Sequence, residues 1–103
     1  MTDLVFELKF SPRAEGDLSA LEFDPQTKDL AKLMKVRKCL GLLETNPKHP
    51  GLQTHEFLSL TGANGEKIWE AYVENKTPAA WRVFWHYGPG RGIITIIAIT
   101  AHP

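Results

Sequence analysis

Arg82, Glu70, Tyr72, His86 and His102 are the side chains of this sequence on which chemistry could rest. Glu70 and Tyr72 fall in the run IWEAYV (68–73), and Arg82 and His86 in AWRVFWHY (80–87). His102 follows the apolar run IITIIAIT (93–100). A guanidinium is a planar fork that matches two oxygens of a phosphate or a carboxylate. An imidazole titrates near neutrality and can give or take a proton. Tyr72 and His86 are candidate helpers in proton transfer, and Glu70 is a candidate base if it lies on an open face. Strand alternation places Glu70, Tyr72 and Glu74 together, so Arg82 also reads as a cross-strand ion-pair partner of Glu70 or Glu74. His102 reads either as an acid or as a frayed terminal residue without a role. Cys39, His49 and His55 fit no closed metal-ligand spacing, so neither metal nor cofactor is expected.

These residues need a sheet to position them. Three strand-like runs, Ile68–Glu74, Trp81–Tyr87 and Gly92–Thr100, are separated by turn-rich gaps at 75–78 and 88–92, the pattern of an antiparallel meander. Residues 52–60 (LQTHEFLSL) form a further strand, and Asn64-Gly65 marks a hairpin between it and the next. Residues 4–10 (LVFELKF) read as a first strand that ends at Ser11-Pro12, an N-cap followed by proline at the first helical position. A short helix then runs to about Phe23. A clearer one spans about Lys28 to Glu44, with Leu30, Leu33, Met34, Leu40 and Leu43 at helical spacing. Its lysines, Lys32, Lys35 and Lys38, and Arg37 read as a solvated face or as a basic ridge for phosphate or an acidic partner.

The order strand, helix, helix, then four strands predicts a two-layer α+β domain: an N-terminal strand, a helical hairpin and a four-strand antiparallel meander, in one domain over residues 1–103. Alternation in Trp81–Tyr87 sends Trp81, Val83, Trp85 and Tyr87 toward the helices, and exposes Arg82, Phe84 and His86 on the other face. Trp69, Trp81 and Trp85 are read as core rather than as a base-stacking platform.

Composition narrows the function classes. Lys and Arg number 12, as do Asp and Glu, so the formal net charge is zero and any nucleic-acid role must rest on local clustering. A single cysteine permits no internal disulfide and points to a reducing compartment. No membrane-spanning run and no signal-peptide pattern are visible, so a cytoplasmic location is expected and no membrane partner.

NPKHPGL after the helical hairpin, then IWEAYV, AWRVFWHY and IITIIAIT ending in AHP, resembles the RelE/ParE superfamily of bacterial toxins, in its HigB-like branch. In element order the resemblance covers nearly the whole chain, and in residues about Asn46 onward. It implies the toxin of a type II toxin–antitoxin pair, with a cognate antitoxin seated on the open sheet face or beside the hairpin. Its commonest activity is cleavage of messenger RNA on the ribosome. ParE-type members inhibit DNA gyrase instead, and a third possibility is a non-toxic binding module on the same fold.

By the same resemblance Arg82 matches the arginine that contacts the scissile phosphate, and His102 matches the candidate general acid. Tyr72 stands where an arginine is usual, and Glu70 and Tyr72 occupy positions where some members carry lysine. Metal-free RNA cleavage needs a base for the 2′-hydroxyl, a cation for the phosphate and an acid for the leaving oxygen. The expected catalytic set is therefore Arg82, His102 and Tyr72. Lys67, Lys76, His86 and Arg91 are the expected nucleic-acid contacts.

Overall fold

Eight elements appear in the computed structural model, which describes residues 5–102. They are β1 (Glu7–Phe10), α1 (Pro12–Phe23), α2 (Leu30–Thr45), a short 3-10 turn (Pro50–Leu52), β2 (His55–Thr61), β3 (Lys67–Tyr72), β4 (Trp81–Tyr87) and β5 (Ile93–Ala101). The two-layer α+β arrangement expected from the sequence is the one observed. Leu4, at the start of the expected first strand, lies outside the described residues.

The sheet has the order β1-β5-β4-β3-β2, with the meander antiparallel throughout. β1 adds to its far edge parallel to β5, with Glu7 opposite Ile93 and Phe10 opposite Ile96. Beyond Ile96 the edge of β5 passes to α1. Ser11 Oγ accepts from Ala14 N as the helix cap and donates to Ile97 O, while Asp17 accepts from Ile99 N. One serine thus closes a helix end and a strand edge together. Ser11→Ala is expected to cost about 0.5–2 kcal/mol in urea denaturation, and an unchanged midpoint would contradict the cap.

The helices cover one sheet face. Ala14, Leu21, Leu33, Val36, Cys39, Leu40 and Leu43 pack on Ala71, Val83, Trp85, Ile94, Ile96 and Ile99. The buried stripe of α2 is rotated from the expected one, because Leu30 and Met34 are exposed while Val36 and Cys39 face the sheet. Trp85 is fully buried, and Trp69 and Trp81 are half-buried against the same core. Burial pushes the Cys39 thiol up to about 12, so at pH 8 the folded protein should hold about a thousandfold less thiolate there than an open cysteine does. A disulfide reagent should label Cys39 only after urea is added; prompt labelling of the folded protein would contradict its burial.

The opposite face is not bare. Ile68, Phe84 and Ala98 are buried there, with Phe57 and Ile97 packed against them. The register of β4 against β5 slips between Phe84 and Trp85, which opposes Phe84 to Ala98 but Trp85 to Ile96. The slip leaves Ile97 as the extra residue of a bulge, so Ile97 and Ala98 both join the outer cluster. The alternation expected along β4 is observed, but the expected exposure of Arg82 and His86 is not. Arg82 is 8% and His86 7% exposed; the Arg82 guanidinium is covered by the Tyr72 ring and faces Glu70. Among the described residues no helix is long and apolar enough to cross a membrane.

Candidate functional site

Glu70 is the hub of the outer face. Its residue is 1% exposed, yet its carboxylate meets three cationic or proton-carrying groups. His55 Nε2 lies 2.8 Å from Oε1, and Oε2 is shared by His102 Nδ1, in hydrogen-bond contact, and Arg82 Nε at 3.6 Å. A carboxylate this deeply buried is stable only with such partners.

Arg82 enters from β4, where it stands opposite Tyr72. Its guanidinium carbon sits 3.6 Å from the centroid of the Tyr72 ring. Nη1 donates to Glu74 O at 2.6 Å and to Trp81 O at 3.0 Å. The 3.6 Å from Nε to Glu70 is an ion-pair distance, too long for a hydrogen bond. The full fork expected for a phosphate is therefore not on offer. Nε is buried without a hydrogen-bond partner among the described residues, and Nη1 is committed to carbonyls, so Arg82 supplies charge rather than a two-point clamp.

His102 is ordered, not frayed. Its backbone N donates to Ala80 O at 2.9 Å, which extends the β4–β5 pairing past the end of β5. Its ring is edge-on to Phe57, with centroids 6.3 Å apart, and its side chain is 46% exposed. Nδ1 faces an acceptor and so carries the proton of the neutral ring, which leaves the Nε2 lone pair toward solvent. A carboxylate that fixes the tautomer and orientation of a histidine is an arrangement used in general acid–base catalysis.

His55 was the member the sequence did not reveal. Both of its ring nitrogens face acceptors, Nδ1 at 2.9 Å from Gln53 O and Nε2 on Glu70. It is edge-on to Tyr72 at 5.8 Å. With both nitrogens engaged, His55 braces Glu70 rather than presenting a nitrogen to substrate.

The expected set is only partly brought together. Arg82, Tyr72 and His102 meet around Glu70. Glu74, expected on the same face, does not: Val73 N and Glu74 N both donate to Trp81 O, at 3.1 and 3.2 Å, an irregularity at the strand end. Its carboxylate instead lies 3.9 Å from Lys32 Nζ and 3.6 Å from Lys35 Nζ on α2, and it accepts from Trp81 N. That places part of the α2 basic ridge in ion pairs; Arg37 likewise meets Glu22 at 3.1 Å. His86 is four residues along β4 from Arg82, roughly 13 Å at strand rise, and its Nδ1 faces Tyr87 O. It cannot assist proton transfer at Glu70. Lys67 and Arg91 belong to His86's end of the sheet, at the start of β3 and in the β4–β5 turn. Lys76, in the β3–β4 loop, is the one expected contact at the Arg82 end. His49 caps the 3-10 turn by accepting from Gly51 N.

Comparison with solved structures then places the fold. A YoeB/ParE toxin from Agrobacterium tumefaciens superposes with a TM-score of 0.68 at 13% identity, covering 94% of this chain and 99% of that one. This chain has the fold of RelE/ParE toxins. The archaeal RelE of a RelE-RelB complex from Pyrococcus horikoshii OT3 superposes at 0.64, with 14% identity and 94% of each chain covered. A YoeB from Staphylococcus aureus, solved as a dimer, reaches 0.61 at 15% identity, over 95% of this chain and 98% of that one. No protein-family model matches the sequence, and neither does any curated protein sequence. With identities this low, the likeness concerns the RelE/ParE fold, and function must be argued from the site.

Proposed function

We propose that this chain is the toxin of a type II toxin–antitoxin pair and acts as a metal-independent endoribonuclease on messenger RNA at the ribosome. One observation carries the reading: the His102 imidazole has its Nδ1 on the same buried Glu70 carboxylate oxygen that faces the Arg82 cation. RNA cleavage by attack of the 2′-oxygen on phosphorus expels the 5′-oxygen, which leaves as an alcohol only if protonated. His102, as the imidazolium held by Glu70, is the acid for that oxygen. Arg82 stabilises the charge gathering on the phosphate, and Tyr72, stacked on Arg82, is the helper in proton transfer, through whose hydroxyl the 2′-hydroxyl proton passes to solvent water. Glu70 orients these groups and is too enclosed to act as the base itself.

The partner follows from the same reading. The RelE of Pyrococcus horikoshii is seen with RelB, and an antitoxin segment is inferred to cover the outer sheet face or the groove beside the helices. The assignment to the HigB-like branch rests on the motifs NPKHPGL, IWEAYV and AWRVFWHY alone.

Induced expression in a host without the antitoxin, with primer extension on a translated message, tests the proposal. The wild type should arrest growth and cut the message. His102→Ala should lower cleavage by about 10²–10⁴ and Arg82→Ala by about 10²–10³. Undiminished cutting by both variants would remove the site. Arrest with intact message and altered DNA topology would favour the gyrase-inhibiting alternative, in which no catalytic residue is needed. Neither arrest nor cutting would leave a binding module on this fold.

A further inference from the structure

A cleft of about 230 Å³ opens beside His102, between the start of α1 and β2. Phe57, Phe84, Leu60 and Ala98 form its apolar walls, and Arg13 and Thr100 supply its polar groups. Phe57 joins it to the acid–base centre, because the ring is edge-on to Phe84 at 5.0 Å and to His102 at 6.3 Å. Ala101, the residue before His102, lines it too. Its volume falls below the range of drug-sized ligand pockets and suits one flat ring system.

We propose that this cleft is a nucleobase subsite that holds the base next to the scissile phosphate. The proposal rests on the ribonuclease reading of the adjoining centre. A phosphate has no partner among Phe57, Phe84, Leu60 and Ala98, so the backbone of a bound strand stays over His102 and Arg82. A base has two aromatic rings to contact and a polar edge to present to Arg13 and the Thr100 hydroxyl. The Arg13 side chain is 65% exposed and only 3.6 Å from Asp17, so it can turn toward a bound nucleotide from the rim. Base contacts with aromatic side chains tolerate any base, since each has a π-face. The cleft therefore supplies grip and position rather than strict sequence choice. That also answers a deficit: the chain has no net positive charge, and stacking supplies affinity that does not depend on phosphate contacts.

The test uses a trinucleotide with 2′-O-methyl groups, which cannot be cut because the attacking hydroxyl is blocked. The probe is NMR of labelled phenylalanine rings and threonine methyls. In the wild type the Phe57 ring and Thr100 methyl signals should shift, and an abasic analogue should leave them still. Leu60→Trp fills the cleft from a half-exposed position and should weaken binding by about tenfold or more. Phe57→Leu should act alike, with amide spectra confirming that both variants are folded. Trinucleotide binding that leaves Phe57 and Thr100 unmoved, or full binding by Leu60→Trp, overturns the subsite. So does a Phe57 shift produced by purified antitoxin and not by the trinucleotide, which would make the occupant a protein side chain. Cleavage of a translated message, read by primer extension, separates the two readings. A Phe57 response without any cleavage sustains the subsite and sinks the nuclease, and cleavage without a Phe57 response does the reverse.

Discussion

Glu70→Ala should lose about 3–5 kcal/mol of stability together with the proposed RNA cleavage. The residue is 1% exposed and faces Arg82, itself 8% exposed, across 3.6 Å. Removing the carboxylate strands a buried guanidinium whose Nη1 still bonds two carbonyls but whose charge has no counterpart. The loss is larger than for a surface pair, which contributes about 0–1 kcal/mol. A second substitution tells the two functions of Glu70 apart. Glu70→Leu with Arg82→Met removes both charges and should regain most of the stability, since apolar side chains of similar volume replace buried pairs at little cost. Activity should stay lost, because His102 has no carboxylate to hold it. Urea denaturation measures the first effect and primer extension the second. A single-variant loss below about 1 kcal/mol, or cleavage restored in the double variant, would show that Glu70 does not bind this site together.

Trp85→Ala should cost about 3–5 kcal/mol by leaving a cavity under the helices. Trp85 is fully buried, edge-on to Tyr87 with centroids 4.9 Å apart and tilted against Trp69 at 6.3 Å. A domain of this size loses roughly 4–8 °C of melting temperature per kcal/mol, so the variant should melt at least about 12 °C lower. Trp85 Nε1 has no hydrogen-bond partner among the described residues. Trp85→Phe therefore abandons no bond and should cost clearly less than the alanine variant. A melting shift under about 4 °C for Trp85→Ala would contradict its place in the core.

Much of this architecture was legible because local signals agreed with one another. Ser11-Pro12 marked the start of α1 to the residue, and β4 begins and ends where its apolar run does. The alternation along β4 separated Val83 and Trp85 from Phe84. Burial was not legible, because nothing local announces that Phe57, Ile97 and Ala98 gather into a second cluster around Phe84, or that Tyr72 covers the Arg82 guanidinium. The site failed for a different reason. The turn between β2 and β3 runs from Gly62 to Glu66 rather than through Asn64-Gly65 alone, and the pairing slips between Glu56 and Thr61. Counting back from Thr61 opposite Lys67 would set Glu70 against Leu58, yet it stands opposite His55. A register slip is invisible to residue types, and it hid His55. Arg82's partner was among the expected alternatives, since alternation alone brought Glu70 to its face.

The parallel seam between β1 and β5 has a consequence for the order of events during synthesis. β1 is made first and its partner last; Ser11 alone bonds to Ile97 across 86 residues. Contacts this far apart in the chain form late and slowly. A polypeptide still emerging from the ribosome, with β4 complete but β5 unmade, already contains Arg82 and Glu70. It has nothing to close its first strand upon, no strand edge for Asp17, and only His55, not His102, beside the carboxylate. The connectivity acts as a timer: the Glu70–His102 pair is assembled by the same stroke that shuts the sheet, so a partly made chain holds the carboxylate without its last partner.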